Sequence, residues 1–374
     1  MTIIDPAAAP RILLVGRSRD VLDIVLQELR DAGLDVSGTA DPESASEHFD
    51  PRAFDIAALG GGLLGPGGDA VRSALKAANP DLRLLDVTAP TATHRIMAEL
   101  EQRGSPVDLE AYCARIGYSG SLTPTLETLR ALHAHHIAAI PFEAIDALLD
   151  RPIDIAPASV DAKLIAGRRG GYCFEQNGLF QRVLAAMGFA VEGLIARVRW
   201  MLPPGAPPRP LTHMAMRVTI DGTPWLTDVG FGGNVLPTPI RLDIEGPQQT
   251  RHGPYRLVAF GPVTLLQARL GERWESLYDL QPLPAARSDY EVGNWFTSRH
   301  PSSHFRHQLI AAKTTPEARY NLLEGRLTVR RPGAPAEQSH LDAMGIEAVL
   351  EGTFGLPVEQ SWRPIIERAA SVTA

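Results

Sequence analysis

Three apolar rhythms follow one another along these 374 residues, and the points where they change set what the chain can fold into. From residue 11 to about 100, short apolar runs alternate with amphipathic stretches. Ile12-Leu13-Leu14-Val15-Gly16 reads as a strand. Val21 to Ala32 reads as a helix, with Val21, Ile24, Val25 and Leu29 on one face and Gly33 as its stop. Strands near Asp35–Ser37, Phe54–Leu59 and Leu82–Val87, with helices after Pro42 and Asp69, continue the alternation. Such βαβα order predicts a small parallel α/β sandwich.

Residues 108 to about 188 change to helical spacing. Thr123 reads as a cap with Pro124 in the first helical position, and Leu126, Leu129 and Leu132 give the apolar face. After Asn177-Gly178 comes a second face of Leu179, Phe180, Val183, Leu184 and Met187, stopped by Gly188. From Ala190 the spacing becomes that of strands, predicted over 191–200, 213–220, 223–228, 255–260, 263–270 and 274–280. Asp221-Gly222 and Glu324-Gly325 are hairpin turn signals, and the prolines of Leu202–Pro210 dictate an extended loop. A helix is predicted over 339–352. The expected organisation is a mixed α/β and α+β multidomain chain, divided into 1–102, 107–188, 189–288 and 289–374, with a polar link near 102–106.

Composition removes several functions. A formal charge of -7 lacks the basic field that a nucleic-acid partner requires. No stretch reaches the ~20 apolar residues of a membrane span, and Met1–Pro6 lacks the basic-then-apolar order of a secretory signal. Two cysteines make no disulfide framework and fit a reducing cytoplasm.

One of those cysteines stands in Arg169-Gly170-Gly171-Tyr172-Cys173-Phe174-Glu175, behind a glycine pair at a helix entrance. A helix N-terminus and a neighbouring imidazolium both favour thiolate over thiol. The glycine pair offers backbone angles that side chains forbid, so the loop can present sulfur to a cleft, and amides at the turn can face an oxyanion. His213 and Asp228 follow inside Thr212-His213-Met214-Ala215-Met216 and Thr227-Asp228-Val229-Gly230-Phe231-Gly232. If Asp221-Gly222 is a two-residue turn, cross-strand partners sum to 443 and Ala215 faces Asp228. His213, two residues earlier, then shares Asp228's face as a diagonal neighbour. Cys173 is the candidate nucleophile, His213 the proton holder, and Asp228 the group that orients the imidazole.

Those motifs, with His136–Glu143, Asn294–Ser298 and Tyr112–Tyr118, closely resemble the arylamine N-acetyltransferases over about 108–365. The resemblance implies a helical domain, a β-barrel-like domain and an α/β lid with a cysteine-protease-like triad. It implies ping-pong transfer of acetyl from acetyl-coenzyme A, as co-substrate and without a metal, to an arylamine or hydrazine. It places Phe142, Phe231 and Gly232 at the acceptor pocket, and Glu143 with Arg169 in an ion pair beneath the loop of Gly170 and Gly171. Ala144 stands where the family commonly has asparagine. The proline-rich loop and residues 1–102 are additions.

Residues 1–102 loosely resemble a receiver domain, but Gly16-Arg17 and Gly60 occupy the positions of its acidic ligands and phospho-accepting aspartate. Docking or regulation, with an unidentified protein partner, is the expected role. Gly60–Gly68 lacks nucleotide-loop spacing and reads as a loop. His133, His135 and His136 lack the further ligands of a zinc site. Cys113 reads as core. Arg168, Arg199 and Arg299 are candidates for coenzyme A phosphates, each weighed against solvated surface charge. The same triad also suits an amide synthase using a carrier thioester, or a papain-type amide hydrolase; a non-catalytic binding module is the remaining alternative.

Overall fold

The computed structural model describes residues 10–372 apart from 64–65, 90, 104–106 and 204. Four segments read from the sequence lie wholly or partly outside the described residues: Met1–Pro6, the centre of Gly60–Gly68, part of the link near 102–106 and one proline of Leu202–Pro210. The chain divides into two compact units, Met1–Gly104 and Ser105–Ala374.

The first unit is a parallel four-stranded sheet in the order Asp35–Thr39, Arg11–Val15, Ile56–Gly60, Arg83–Val87. Alternation sends Ile12 and Leu14 into one core and Leu13 and Val15 into the other, as a sheet covered on both faces demands. Helix Arg19–Asp31 buries Leu22, Val25, Leu26 and Leu29. That corrects the expected face: Val21 and Ile24 are exposed, because the i, i+3, i+4, i+7 stripe starts at Leu22. Gly60 ends the third strand.

In the second unit, helix Leu126–Ala139 starts later than Thr123 and Pro124 suggested; Thr125 is the cap, its Oγ1 accepting from Thr128 N at 3.2 Å. Helix Cys173–Ala186 buries Leu179, Phe180, Val183 and Leu184, each fully, at about 1.5–3 kcal/mol apiece. They share a core with Tyr112, Leu129 and Leu132 from the helices and Val191, Met216 and Val218 from the strands. The helix that begins with Cys173 is thereby pressed against the strand that carries His213.

Eight antiparallel strands form a nearly closed, barrel-like sheet. Its centre runs Arg273–Pro284, Ala190–Val198, Leu211–Ile220, Thr223–Thr227. A five-stranded antiparallel sheet follows, in the order Glu337–His340, Arg326–Arg330, Arg319–Leu323, Ile310–Thr314, Phe142–Glu143. Its last strand comes from the helical stretch, about 170 residues upstream, so one sheet ties the segment before the Gly170-Gly171 loop to the C-terminal region. The helix expected over 339–352 begins only at Ala343, where Asp342 accepts from Gly345 N at 2.8 Å; Ser339 and His340 belong to a strand.

Candidate active site

The hairpin that carries His213 folds in the expected register. Met216 pairs with Thr227, Arg217 with Leu226 and Ile220 with Thr223, and Asp221 and Gly222 take positive φ of 48° and 74°. Two positive φ values make the primed turn that matches strand twist. His213 pairs with Ala196 on its other side. His213 Nε2 reaches Asp228 Oδ2 at 2.8 Å, and the Cys173 side chain is close enough to the same ring to help raise its pKa. Cys173 Sγ also lies 3.6 Å from Thr212 O. Thiol, imidazole and carboxylate are therefore contiguous.

Asp228 is fully buried and fully satisfied. Oδ2 accepts from His213 and from Tyr278 OH at 2.9 Å, while Oδ1 accepts from Asn177 Nδ2 and Gly230 N, both at 2.9 Å. Burial alone would raise its pKa, but the His213 charge and these donors outweigh it and hold the carboxyl below the usual range. For His213 burial opposes charge, and Asp228 with the Cys173 contact overcomes it, pushing the imidazole up to about 10. The ring is a stable proton store at neutral pH. Phe231 and Tyr278 pack on it at 5.0 and 4.6 Å between centroids, fixing its plane.

The glycine pair works through space rather than through backbone angle, which corrects the expectation from sequence. Neither glycine has positive φ. A Cβ on Gly170 would stand 2.3 Å from Pro141 O, and one on Gly171 would meet Glu175 Oε2 at 2.9 Å. The loop packs this tightly because Glu143 N donates to Gly171 O and Gly171 N to Pro141 O, at 3.1 and 3.3 Å. Gly230 likewise lies on the Cys173 backbone.

Beneath the loop the Glu143–Arg169 pair, 2.7 Å apart, belongs to a larger buried network. Lys163 Nζ lies 2.7 Å from both Asp146 Oδ2 and Glu175 Oε1, and Arg169 lies 3.2 Å from Asp146 Oδ2. Glu175 Oε2 accepts from Tyr172 N at 3.0 Å, tying the network to the residue before Cys173. Arg169 also sits over the Trp362 ring at 4.7 Å.

A cavity of about 790 Å³ opens on Cys173 and His213. Phe142, Phe231, Gly232 and Phe305 line it near the sulfur, and Gly232 has φ of 73° with Phe142 packed beside it. Arg168, Arg199 and Arg299 do not line it: Arg199 pairs with Asp279, Arg299 with Asp150, and the Arg168 carbonyl accepts from Arg115. The arginines on its wall are Arg209, Arg326 and Arg330.

The remaining candidates have structural partners. His136 bonds Tyr112 OH and Gln176 Oε1, and His133 Nε2 bonds Asp228 O. Burial drives both imidazoles down, to about 3 and about 4 respectively. Among the described residues no group of His, Cys, Asp and Glu is arranged to hold a metal ion, and no helix is long and apolar enough to cross a membrane. Cys113 is half-buried, and burial raises its thiol pKa. Tyr278, Lys163 and Asp146 were not singled out from sequence; nothing in their local pattern distinguishes them from ordinary strand and helix residues.

A Cys–His–Asp cluster across a helix start and a hairpin, above a buried ion network, is an arrangement that can support thiol-dependent acyl transfer. The N-acetyltransferase family model matches residues 125–363. An arylamine N-acetyltransferase of Escherichia coli is 42% identical over 68% of this chain and 90% of its own length; one of Mycolicibacterium smegmatis is 42% identical over 71% and 98%. The solved Mycobacterium marinum arylamine N-acetyltransferase in complex with CoA superposes with a TM-score of 0.67 at 41% identity, covering 70% of this chain and 98% of that one. The chain belongs to the arylamine N-acetyltransferase family.

Proposed function

We propose that this chain transfers acetyl from acetyl-coenzyme A to an arylamine or hydrazine through a thioester on Cys173. The observation that carries the reading is the placement of His213 between the sulfur and Asp228, at one end of the cavity. In the first half-reaction the Cys173 thiolate attacks the thioester carbonyl, the carbon–sulfur bond to coenzyme A breaks, and the His213 proton goes to the departing thiolate. In the second, the amine attacks the acetyl carbon, His213 takes a proton from nitrogen, and Cys173 sulfur leaves. Asp228 orients the ring and offsets its charge in both.

Phe142, Phe231 and Gly232 hold the acceptor ring; Glu143, Arg169, Gly170 and Gly171 hold the loop. Residues 107–188 supply the nucleophile, 189–288 the His and Asp, and 289–374 a lid. A reducing cytoplasm keeps the thiol available. The N-terminal unit serves docking or regulation toward an unidentified protein, tested by an acceptor panel with the full chain and with a chain starting at Val107.

Peptide mass spectrometry after mixing with acetyl-coenzyme A tests the chemistry. Acetyl on the Cys173 peptide, absent in C173A, is expected. Label from a long acyl thioester alone indicates an amide synthase, and amide cleavage without an amine indicates a hydrolase.

A further inference from the structure

The cavity wall changes character along the five-stranded sheet. Phe142 pairs with Ala312, Ala312 with Asn321, and Asn321 with Thr328, so one row of four strands turns its side chains to the cavity. Arg326 and Arg330 flank Thr328 at two residues on either side, on the same face by the period of two. The row begins apolar at Phe142 and ends cationic.

Three features mark that end as built for an anion. Arg326 and Arg330 are half-buried and make no ion pair among the described residues, and no Asp or Glu lines the cavity among those residues. Buried Arg319 next to Arg330 spends its donors on neutral oxygens, Gly233 O, Val235 O and Tyr255 OH, which leaves its charge uncompensated too. Burial and Arg319 together lower the Arg330 pKa. Between the two ends, Asn321 has neither amide atom partnered, and Asn234, 6% exposed, has an unpartnered Oδ1.

Building on the acetyl-transfer reading, we infer that Arg326 and Arg330 bind an anionic group, phosphate or carboxylate, carried by a substrate whose reacting end lies at Cys173. Strand spacing of about 4.8 Å sets Thr328 about 14 Å across the sheet from Phe142. A single substituted ring seated at Phe142 is too short to span that. The anion therefore rides on a longer frame, either the phosphates of the thioester donor or an acid tail on an extended arylamine.

The test compares wild type with R326Q/R330Q over two substrate pairs. In the donor pair, acetyl-coenzyme A is set against S-acetylpantetheine, which lacks the phosphates. In the acceptor pair, 4-(4-aminophenyl)butanoate is set against its primary amide, with S-acetylpantetheine as donor. Wild type is expected to prefer the charged member of one pair, and the double variant to lose about tenfold or more of that preference in kcat/KM. The pair affected identifies the source of the anion. Unchanged preferences in both pairs overturn the inference. If the wholly neutral combination also slows, R326K/R330K decides: retained preference supports the inference, and behaviour equal to the glutamine variant overturns it. A wild-type protein that takes no acetyl onto Cys173 from either donor would instead defeat the acetyl-transfer reading.

Discussion

Gly230 rests against Cys173 so closely that a Cβ at 230 would stand 2.7 Å from the cysteine Cα. It would also stand 2.8 Å from Asn177 Nδ2, the atom that donates to Asp228. Gly230→Ala should therefore push the Cys173 backbone and the Asp228 donor at once. The expected result is a loss of about 1–3 kcal/mol by overpacking, with kcat falling further than the stability change alone explains. Denaturant melts beside steady-state kinetics check it; a variant with wild-type kcat refutes the packing argument.

Asp228→Asn keeps the shape and removes the charge that holds the His213 proton. A kcat loss of about 10³–10⁴-fold is expected, the scale seen when a triad carboxylate is neutralised. The pH dependence of stability should change as well. His213 has a folded pKa of about 10, above the ordinary imidazole value of about 6.5. Its contribution is complete below the lower figure and is lost as pH rises through the higher one. Asp228, with its pKa depressed, contributes above the ordinary carboxylate value, and that share is lost as pH falls through its folded pKa. Thermal melts from pH 6 to 10.5 should fall for wild type and stay nearly flat for D228N across this window.

Tyr278→Phe removes one of four donors to the same carboxylate while keeping the ring that packs on His213. The Asp228 pKa should rise, because a donor to its charged form is lost, so the stability that this carboxylate contributes should be lost at a higher pH on acidification. A cost of about 1–3 kcal/mol is expected, since the phenol bonds a charged group. Thermal melts of the two proteins through the acid range read the shift, and an unchanged loss of stability as pH falls counts against the linkage.

Arg169→Met leaves Glu143 buried without its partner, the arginine side chain being 10% exposed and the glutamate fully enclosed. Removing one member of such a pair costs about 3–5 kcal/mol. The double change Glu143→Gln with Arg169→Met should recover part of that loss. A double-mutant cycle by chemical denaturation gives the answer, and strictly additive losses would dismiss the network as a unit.

Much of the site was legible because its elements are local. Asp221-Gly222 fixed a register that, counted backward, brought His213 to Asp228's face. The helix beginning at Cys173 was anticipated only from Leu179 onward, since the residues before it are buried on nearly every side and show no stripe. The charged layer around Lys163 was hidden for a different reason. Its members come from residues 143 to 175, with Glu359 at 3.6 Å from Arg169, and spacing along a chain says nothing about which charges share a buried space. The first unit's helix was placed correctly but rotated, because Val21 and Ile24 are apolar yet face solvent. Apolar identity is a weak guide where a stripe has apolar neighbours on both sides.

Phe142–Glu143 takes its strand partner from Ile310–Thr314. During synthesis, then, the cysteine leaves the ribosome well before the edge that braces its loop exists. A nascent chain arrested ahead of residue 310 would carry the thiol without the finished cradle, so reactivity should switch on late in translation. If Cys173 is the nucleophile proposed above, the wiring of this sheet puts a delay between making that thiol and bracing its loop.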